Sequence, residues 1–178
     1  QVLEGATGEP VPAFMEERLL DPIGMDDSEL NTDEAGNGLT FMGLHSTCRD
    51  MARFGHLVLE EGTWDGEQVV SSEWIEEATG ASSQELNAAY GYLWWLNRPG
   101  RMAGAMSPTR AEETEGAAEG QMVPDAPEDL GWALGLGGQT VQVHRPTGTV
   151  AVRLGPANMG SAYGPAQLSR VVTEAVVE

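Results

Sequence analysis

Residues 131–155 read GWALGLGGQTVQVHRPTGTVAVRLG, and this stretch decides the fold. Valines alternate with polar residues on both sides of a Pro-Thr-Gly turn at 146–148, which is the two-residue period of a strand. Proline and glycine suit the turn, because glycine adopts positive φ without strain. The spacing predicts an antiparallel hairpin with strands at 139–145 and 149–154. One face carries Val141, Val143, Val150, Val152 and Leu154, and Thr140, Gln142 and His144 point the other way.

A glycine-rich segment precedes this hairpin, at the end of a further strand predicted at 131–136. Glycines such as Gly135, Gly137 and Gly138 weaken a strand and often mark a close approach of the backbone to a ligand or another chain. Tight packing between strands is the alternative explanation.

Composition limits the classes of function. The 178 residues include 28 acidic and 9 basic side chains, which gives a net charge of −19, and every basic residue is arginine. Such a charge repels nucleic acids and anionic membranes, which bind basic surfaces. No apolar stretch approaches the roughly 20 residues that span a bilayer. We therefore expect no nucleic-acid partner and no membrane partner. The acidity fits a salt-adapted proteome or a GC-rich genome that avoids lysine codons.

The remaining general features leave compartment and assembly open. The first residues show no signal-peptide pattern and resemble the middle of a helix, so we expect a natural N-terminus upstream of Gln1. The compartment stays unknown, with the cytoplasm favoured, and so does the oligomeric state. Cys48 is the single cysteine, which excludes an internal disulfide, and its neighbours favour a small buried side chain over a reactive thiol. No metal-ligand spacing is present, and no cofactor is expected.

Residues 1–89 are predicted to be mainly helical. A short amphipathic helix is indicated at 12–20, and an acidic, turn-rich loop follows at 26–38. The strongest helix spans 46–61, since Thr47 and Asp50 match a capping pattern and apolar residues recur at helical spacing. Its inward face comprises Met51, Phe54, Gly55 and Val58, and Gly62 ends it. Ser72 caps a further helix whose apolar side chains are Trp74, Ile75 and Ala78.

Residues 90–178 are predicted to carry the strands. The aromatic segment 90–96 reads as a strand in which Trp94 and Trp95 face opposite sides. Residues 97–130 lack periodicity and are interpreted as a long surface loop, either a lid or a disordered insertion. A C-terminal helix is predicted from Pro165 to Val177 and packs on the sheet. Its apolar stripe comprises Leu168, Val171, Val172 and Ala175.

Five segments carry a family resemblance. They are 17–25 (ERLLDPIGM), 43–55 (GLHSTCRDMARFG), 90–95 (YGYLWW), 135–139 (GLGGQ) and the hairpin around Pro146. In this order they resemble the C-terminal half of the serine β-lactamase and penicillin-binding-protein-like hydrolases of the class C type. The amino-acid sequences of the third and fourth segments are most similar to those of the 6-aminohexanoate-dimer hydrolase branch. The resemblance implies an α+β fold, the C-terminal half of the β-lactamase and transpeptidase-like architecture, with residues 1–178 forming part of one domain.

The resemblance also implies acyl transfer by a Ser-x-x-Lys nucleophile, a Tyr-x-Asn tyrosine and a backbone oxyanion hole. This sequence contains no lysine and no Tyr-x-Asn, and Ser46-x-x-Arg49 fails because arginine does not deprotonate. No catalytic residue is therefore expected in this chain, and both motifs are expected upstream. The family's third motif falls at Ala133-Leu134-Gly135, where only glycine matches. The missing cation argues against β-lactams and towards neutral amides or esters.

The candidate substrate-binding residues are Gly135, Leu136, Gly137, Gly138, Gln139 and Trp94. Backbone near Leu136 or Gly137 is the candidate oxyanion donor, and a cleft is expected where the helices meet the sheet there. Gln139 either binds substrate or fixes the strand. His144 is interpreted as an ordinary surface histidine without an acidic partner.

Three functional readings stay open. The first is a portion of a serine hydrolase for small amides or esters, inactive alone. The second is a non-catalytic binding protein or a subunit that completes a partner chain. The third is an unrelated α+β domain with chance similarity.

Overall fold

The computed structural model describes residues 2–80, 87–102, 118–156 and 164–176. Five α-helices lie within these ranges: α1 (Val2–Thr7), α2 (Val11–Met15), α3 (Cys48–Leu59), α4 (Ser72–Gly80) and α5 (Pro165–Ala175). The first five strands are β1 (Glu29–Leu30), β2 (Leu44–His45), β3 (Thr63–Trp64), β4 (Glu67–Gln68) and β5 (Trp95–Leu96). The others are β6 (Gly100–Met102), β7 (Ala118–Gly120), β8 (Gly131–Gly135), β9 (Gln139–His144) and β10 (Thr149–Arg153). Helices and antiparallel strands together make an α+β fold, as predicted.

The main sheet has the order β10-β9-β8-β5, and all its neighbours are antiparallel. The predicted hairpin is confirmed, with Val150 opposite Val143 and Val152 opposite Val141. A short 3-10 turn connects its strands and ends at Gly148, whose φ is +62°. Alternating side chains and the glycine therefore set both the register and the turn.

Helix α3 forms where the capping pattern predicted it, although it is shorter than 46–61. The Asp50 amide donates to Thr47 Oγ1 at 3.2 Å and satisfies one of the free donors of the first turn. At the other end the Gly62 amide donates to the Leu57 carbonyl at 2.8 Å, with φ of +84°. This left-handed glycine ends the helix as expected.

The first core lies between α3 and the sheet. It contains Val58, Ile75, Ala78, Trp94, Leu96, Val141 and Val143, with Met51 and Phe54 packed against it. Gly55 lets the helix approach closely, because a Cβ atom there would lie 2.5 Å from Val150 Cγ1 and 3.1 Å from Val141 Cγ1. The inward face predicted for this helix is thus confirmed.

Replacing Gly55 with alanine is expected to lower the free energy of unfolding by about 1 kcal/mol. The added methyl forces the stiff Val150 side chain to shift, which costs about 1–3 kcal/mol, and better helix propensity offsets up to about 1 kcal/mol. Gly5→Ala is the matched control, since a Cβ atom at Gly5 meets nothing within 4 Å. Denaturant unfolding of both variants checks the prediction, and a stabilised Gly55→Ala protein would contradict it.

A second core and a buried carboxylate fix the segment before α3. Leu20, Ile23, Met25 and Leu57 form this core. Asp50 is fully buried and accepts hydrogen bonds from the Asp27 amide (3.0 Å), Ser28 Oγ (2.9 Å) and Arg53 Nη1 (2.6 Å). The predicted loop 26–38 is therefore anchored to the helix at its start, and Glu29–Leu30 pairs with β2.

The helix predicted at 12–20 is present, although its geometry changes from α to π at Glu16. Other local predictions were wrong. Helix α4 is capped by Ser71, whose Oγ accepts from the Trp74 amide at 3.3 Å, and Trp74 is 51% exposed. Cys48 is exposed rather than buried, because the first turn of α3 presents it to solvent.

The aromatic segment 90–96 is a turn rather than a strand over most of its length. The Gly91 amide donates to the Trp94 carbonyl at 2.8 Å, and only Trp95–Leu96 pairs with β8. Trp94 packs in the first core, whereas Trp95 packs with Trp132, so the opposite orientation of the two indoles is confirmed.

The loop predicted at 97–130 is ordered at both ends. Strands β6 and β7 pair with each other, and the buried Asn97 side chain organises residues 121–127. Its Nδ2 donates to the carbonyls of Val123, Ala126 and Pro127 at 2.9–3.0 Å, and its Oδ1 accepts from the Val123 amide at 2.8 Å. The lid and disorder alternatives concern mainly residues 103–117, which lie outside the described part of the chain.

Helix α5 packs on the sheet, but its predicted stripe is partly wrong. Leu168 and Ser169 are buried and Val172 is half-buried, whereas Val171 and Ala175 are exposed. Ser169 Oγ donates to Gln142 Oε1 at 2.8 Å, and the same oxygen accepts from Trp132 Nε1 at 2.9 Å. The polar face of β9 is thus a buried contact with α5. The end predicted at Val177 lies outside the described residues.

No helix within the described ranges has the length and apolar character needed to cross a membrane.

Candidate functional site

The glycine-rich candidate site is the connection between β8 and β9. Gly135 pairs with Gln139, and residues 136–138 form the three-residue turn between them. Gly137 and Gly138 have φ of +77° and +84°, a region that favours glycine. Leu136 is 72% exposed at the tip. The glycines therefore permit a tight turn that presents backbone to solvent, and the structure brings these five candidate residues together.

Two side chains hold this turn in place. The Gln139 side chain makes two hydrogen bonds with the backbone of Gly155. Gln139 Nε2 donates to the Gly155 carbonyl at 2.6 Å, and the Gly155 backbone N–H donates to Gln139 Oε1 at 2.9 Å. Arg153 Nη1 donates to the carbonyls of Gly138 (2.9 Å) and Gly137 (3.2 Å). Gln139 therefore fixes the strand end. Arg153 was not among the predicted site residues. Its position as a cation within a valine-rich strand was the one feature of the sequence that could have indicated a role.

Among the described residues, one edge of β8 is unpaired next to the turn. The Asn97 amide donates to the Leu130 carbonyl at 3.0 Å, and Trp95 lies opposite Trp132 in the same ladder. In an antiparallel ladder every second residue of a strand directs its backbone N–H and C=O toward a given neighbour. Because Leu130 does so toward β5, the even-numbered residues of β8 also direct their backbone groups to that side. Because β5 ends opposite Trp132, Leu134 has no strand partner on that side among the described residues. An extended polar ligand could bind to such an edge.

Trp94 lies apart from the glycine turn. It is 8% exposed and its ring stacks on Phe54 at 6.2 Å between centroids. Its neighbour Trp95 lies opposite Trp132, three residues before Gly135, which corresponds to about 10 Å along the strand. The structure therefore does not bring Trp94 to the turn, because the aromatic segment pairs with the opposite end of β8.

Trp94 instead lines a cavity of about 220 Å³ at that end of the sheet. Buried apolar side chains form part of the wall: Val58, Leu96, Leu130 and Val143. Charged side chains also line it: Arg98, Arg145, Glu128 and Asp129. This cavity does not lie beside the glycine turn, where the cleft was expected, because none of residues 135–139 lines it.

His144 is not the unpartnered surface histidine that was predicted. Its Nε2 lies 3.0 Å from Asp129 Oδ1 and its Nδ1 lies 2.7 Å from Thr147 Oγ1, and the side chain is 12% exposed. Asp129 is distant in sequence, so only the chain's folding reveals the pair. Within the described ranges, no group of three or more His, Cys, Asp or Glu side chains is arranged to hold a metal ion.

Comparison with known proteins agrees with this architecture. Residues 1–155 match the Beta-lactamase family. A curated relative, the 6-aminohexanoate-dimer hydrolase of Paenarthrobacter ureafaciens, is 30% identical over 91 residues, which cover 44% of this chain and 23% of that protein.

Solved structures share the fold. A Bacillus anthracis protein provisionally described as a 6-aminohexanoate-dimer hydrolase superposes with a TM-score of 0.67 and 23% identity, over 97% of this chain and 38% of its own. A β-lactamase from Mycobacterium bovis gives 0.64 and 15% identity, over 97% of this chain and 57% of its own. The chain thus spans between about a quarter and somewhat over half of these relatives. With residues 1–155 of 178 matched, it belongs to the β-lactamase family.

Proposed function

We propose that this chain is the C-terminal portion of a single serine-hydrolase domain that acts on small amides or esters through an acyl-enzyme. In this proposal the β8–β9 turn, residues 135–139, forms one wall of the acyl site. The observation that carries it is the open edge of β8 beside a rigid glycine turn. The hydrolase family and the named hydrolases among its relatives support the reaction class.

The backbone of Leu136 is the proposed oxyanion donor. Leu134 directs its backbone groups to the open edge of β8. When the same two-residue alternation is continued past the end of the strand, the N–H of Leu136 is directed to that edge as well. Such a donor stabilises charge only if it is held rigidly before the reaction. Arg153 and Gln139 provide that rigidity by binding the turn and its flank.

The nucleophile is proposed to lie in a part of the protein that this sequence does not include. No lysine is present to accept a serine proton, and arginine stays protonated. Ser46 Oγ lies 2.7 Å from Ser28 Oγ, which in turn donates to the buried Asp50, so it belongs to a structural network. The apolar residues Ala133 and Leu134 at the third motif favour neutral acyl groups over carboxylate-bearing ones.

A serine-directed fluorophosphonate probe and an activated ester test this proposal. The 178-residue chain alone is expected to show neither covalent labelling nor turnover, since it has no Ser-x-x-Lys. The complete open reading frame is expected to label at one serine within such a motif and to hydrolyse the ester. Labelling of the short chain would contradict the proposed location of the nucleophile. A complete reading frame without the motif would favour the non-catalytic, partner-completing alternative.

A further inference from the structure

Helix α4 carries an exposed tryptophan, Trp74, whose side chain is not part of the core. Ile75 and Ala78 supply the buried side of this helix, at 7% and 4% exposure, whereas Trp74 is 51% exposed. Exposing a tryptophan leaves a large apolar area in water, and tryptophan is among the residues most enriched at the energetic centres of protein interfaces. Its side chain is therefore available for contact with another molecule.

Trp74 is held in place by a second aromatic ring. Tyr92 stacks on it with centroids 5.3 Å apart and an interplanar angle of 24°. The Tyr92 hydroxyl donates to Glu77 Oε1 at 2.7 Å. This hydrogen bond and the negative charge of Glu77 raise the pKa of Tyr92. The two rings and the carboxylate form a preorganised set, which lowers the entropy lost on binding.

The adjoining turn is rigid and displays Leu93. This leucine is 81% exposed and has φ of +62°, a region that costs a non-glycine residue energy. Its neighbours are packed against α4: the Tyr92 amide contacts the Ala78 carbonyl at 3.3 Å, and a Cβ atom at Gly91 would collide with that same oxygen. The strained leucine is thus held outward by the surrounding structure.

Negative charge surrounds these apolar side chains. Glu73, Glu76 and Glu77 are exposed on α4, and no arginine in the described part of the chain forms an ion pair with any of them. The whole sequence adds a net charge of −19. Aromatic faces beside carboxylates attract a cation, and the planar guanidinium group also stacks on rings.

We propose that the aromatic patch, Trp74, Tyr92 and Leu93, docks an arginine-containing basic segment of a partner protein. One arginine stacks on the indole of Trp74 and pairs with Glu73 or Glu77, and an apolar residue of the segment covers Leu93. The acidic surface of the chain steers the segment toward the patch. This site lies outside the β8–β9 turn, so it does not depend on the proposed hydrolase function.

Fluorescence anisotropy with a labelled peptide that alternates arginine and leucine tests the proposal. The 178-residue chain is expected to bind it with an affinity that falls as salt rises, and to bind a lysine version more weakly. Trp74→Ala keeps the net charge and is expected to weaken binding about tenfold. Glu77→Gln is expected to weaken it about threefold.

Phe41→Ala is the matched control, because Phe41 is a 79% exposed aromatic residue in the turn before β2 and the change also leaves the charge unaltered. Glu67→Gln controls for the loss of one exposed carboxylate. Both are expected to bind within twofold of the unmodified chain. Equal losses in the controls, equal binding of a glutamate version of the peptide, or unchanged binding by both Trp74→Ala and Glu77→Gln would overturn the proposal. So would a Trp74-dependent association between copies of this chain in place of peptide binding.

Discussion

Replacing Leu136 with proline in the complete protein is expected to lower kcat about 100-fold to 1,000-fold. Proline removes the backbone N–H of this position and leaves the side chain apolar. Loss of one oxyanion-hole donor has a cost of that size in other acyl-transfer enzymes. The strand ladder tolerates the change, because Leu136 lies past the last pair, Gly135 with Gln139. Steady-state kinetics with an activated ester measures the effect.

Leu136→Ala separates the backbone from the side chain. Alanine keeps the N–H, and Leu136 is 72% exposed, so this variant is expected to retain kcat within a few-fold. If both variants lose activity equally, the exposed leucine side chain and not its amide is the functional group. If neither loses activity, the β8–β9 turn does not form the oxyanion hole. Circular dichroism of both proteins verifies that the sheet is intact.

Replacing Asn97 with alanine is expected to lower the free energy of unfolding by about 3 kcal/mol. The Asn97 side chain is fully buried and supplies the partners of the Val123 amide and of three carbonyl groups. Each buried polar group left without a partner costs about 1–3 kcal/mol, and part of that cost is recovered where water enters. Denaturant unfolding measures the loss.

Asn37→Ala provides the matched control for this substitution. Asn37 is exposed and, among the described residues, bonds only to the nearby Asp33, so its loss is expected to cost about 0.5 kcal/mol or less. Hydrogen exchange adds a local measurement: the Val123 amide is expected to lose protection in Asn97→Ala and to keep it in Asn37→Ala. Equal stability of the two variants would show that residues 121–127 hold their conformation without Asn97.

Local sequence signals predicted the elements whose patterns are continuous. The hairpin followed from alternating valines around a Pro-Thr-Gly turn, and α3 followed from its cap at Thr47 and its end at Gly62. The aromatic segment misled because aromatic residues favour strands, whereas contacts between Gly91 and Ala78 impose a turn there. The burial predicted for Cys48 was wrong because its apolar neighbours in α3 face inward, whereas the cysteine side chain faces solvent.

The candidate site was predicted in part. The glycine turn lies where residues 135–139 indicated, and its positive φ values give the physical reason for the glycines. The clamp by Arg153 and the pairing of His144 with Asp129 join residues about 15 positions apart, and no local pattern contains such contacts. Substrate binding by residues 135–139 and Trp94 stays a prediction.

The sequence by itself determined the family, the hairpin register, the charge and the absence of a usable Ser-x-x-Lys, because each depends on residue identity and near-neighbour spacing. Only the tertiary structure decided which groups meet: it separated Trp94 from the glycine turn, buried Asp50 and Asn97 among backbone donors and acceptors, and stacked Trp74 on Tyr92 at the surface. The reason is that strand pairing and burial are settled by contacts between distant segments, whose free energy outweighs the small preferences of single residues.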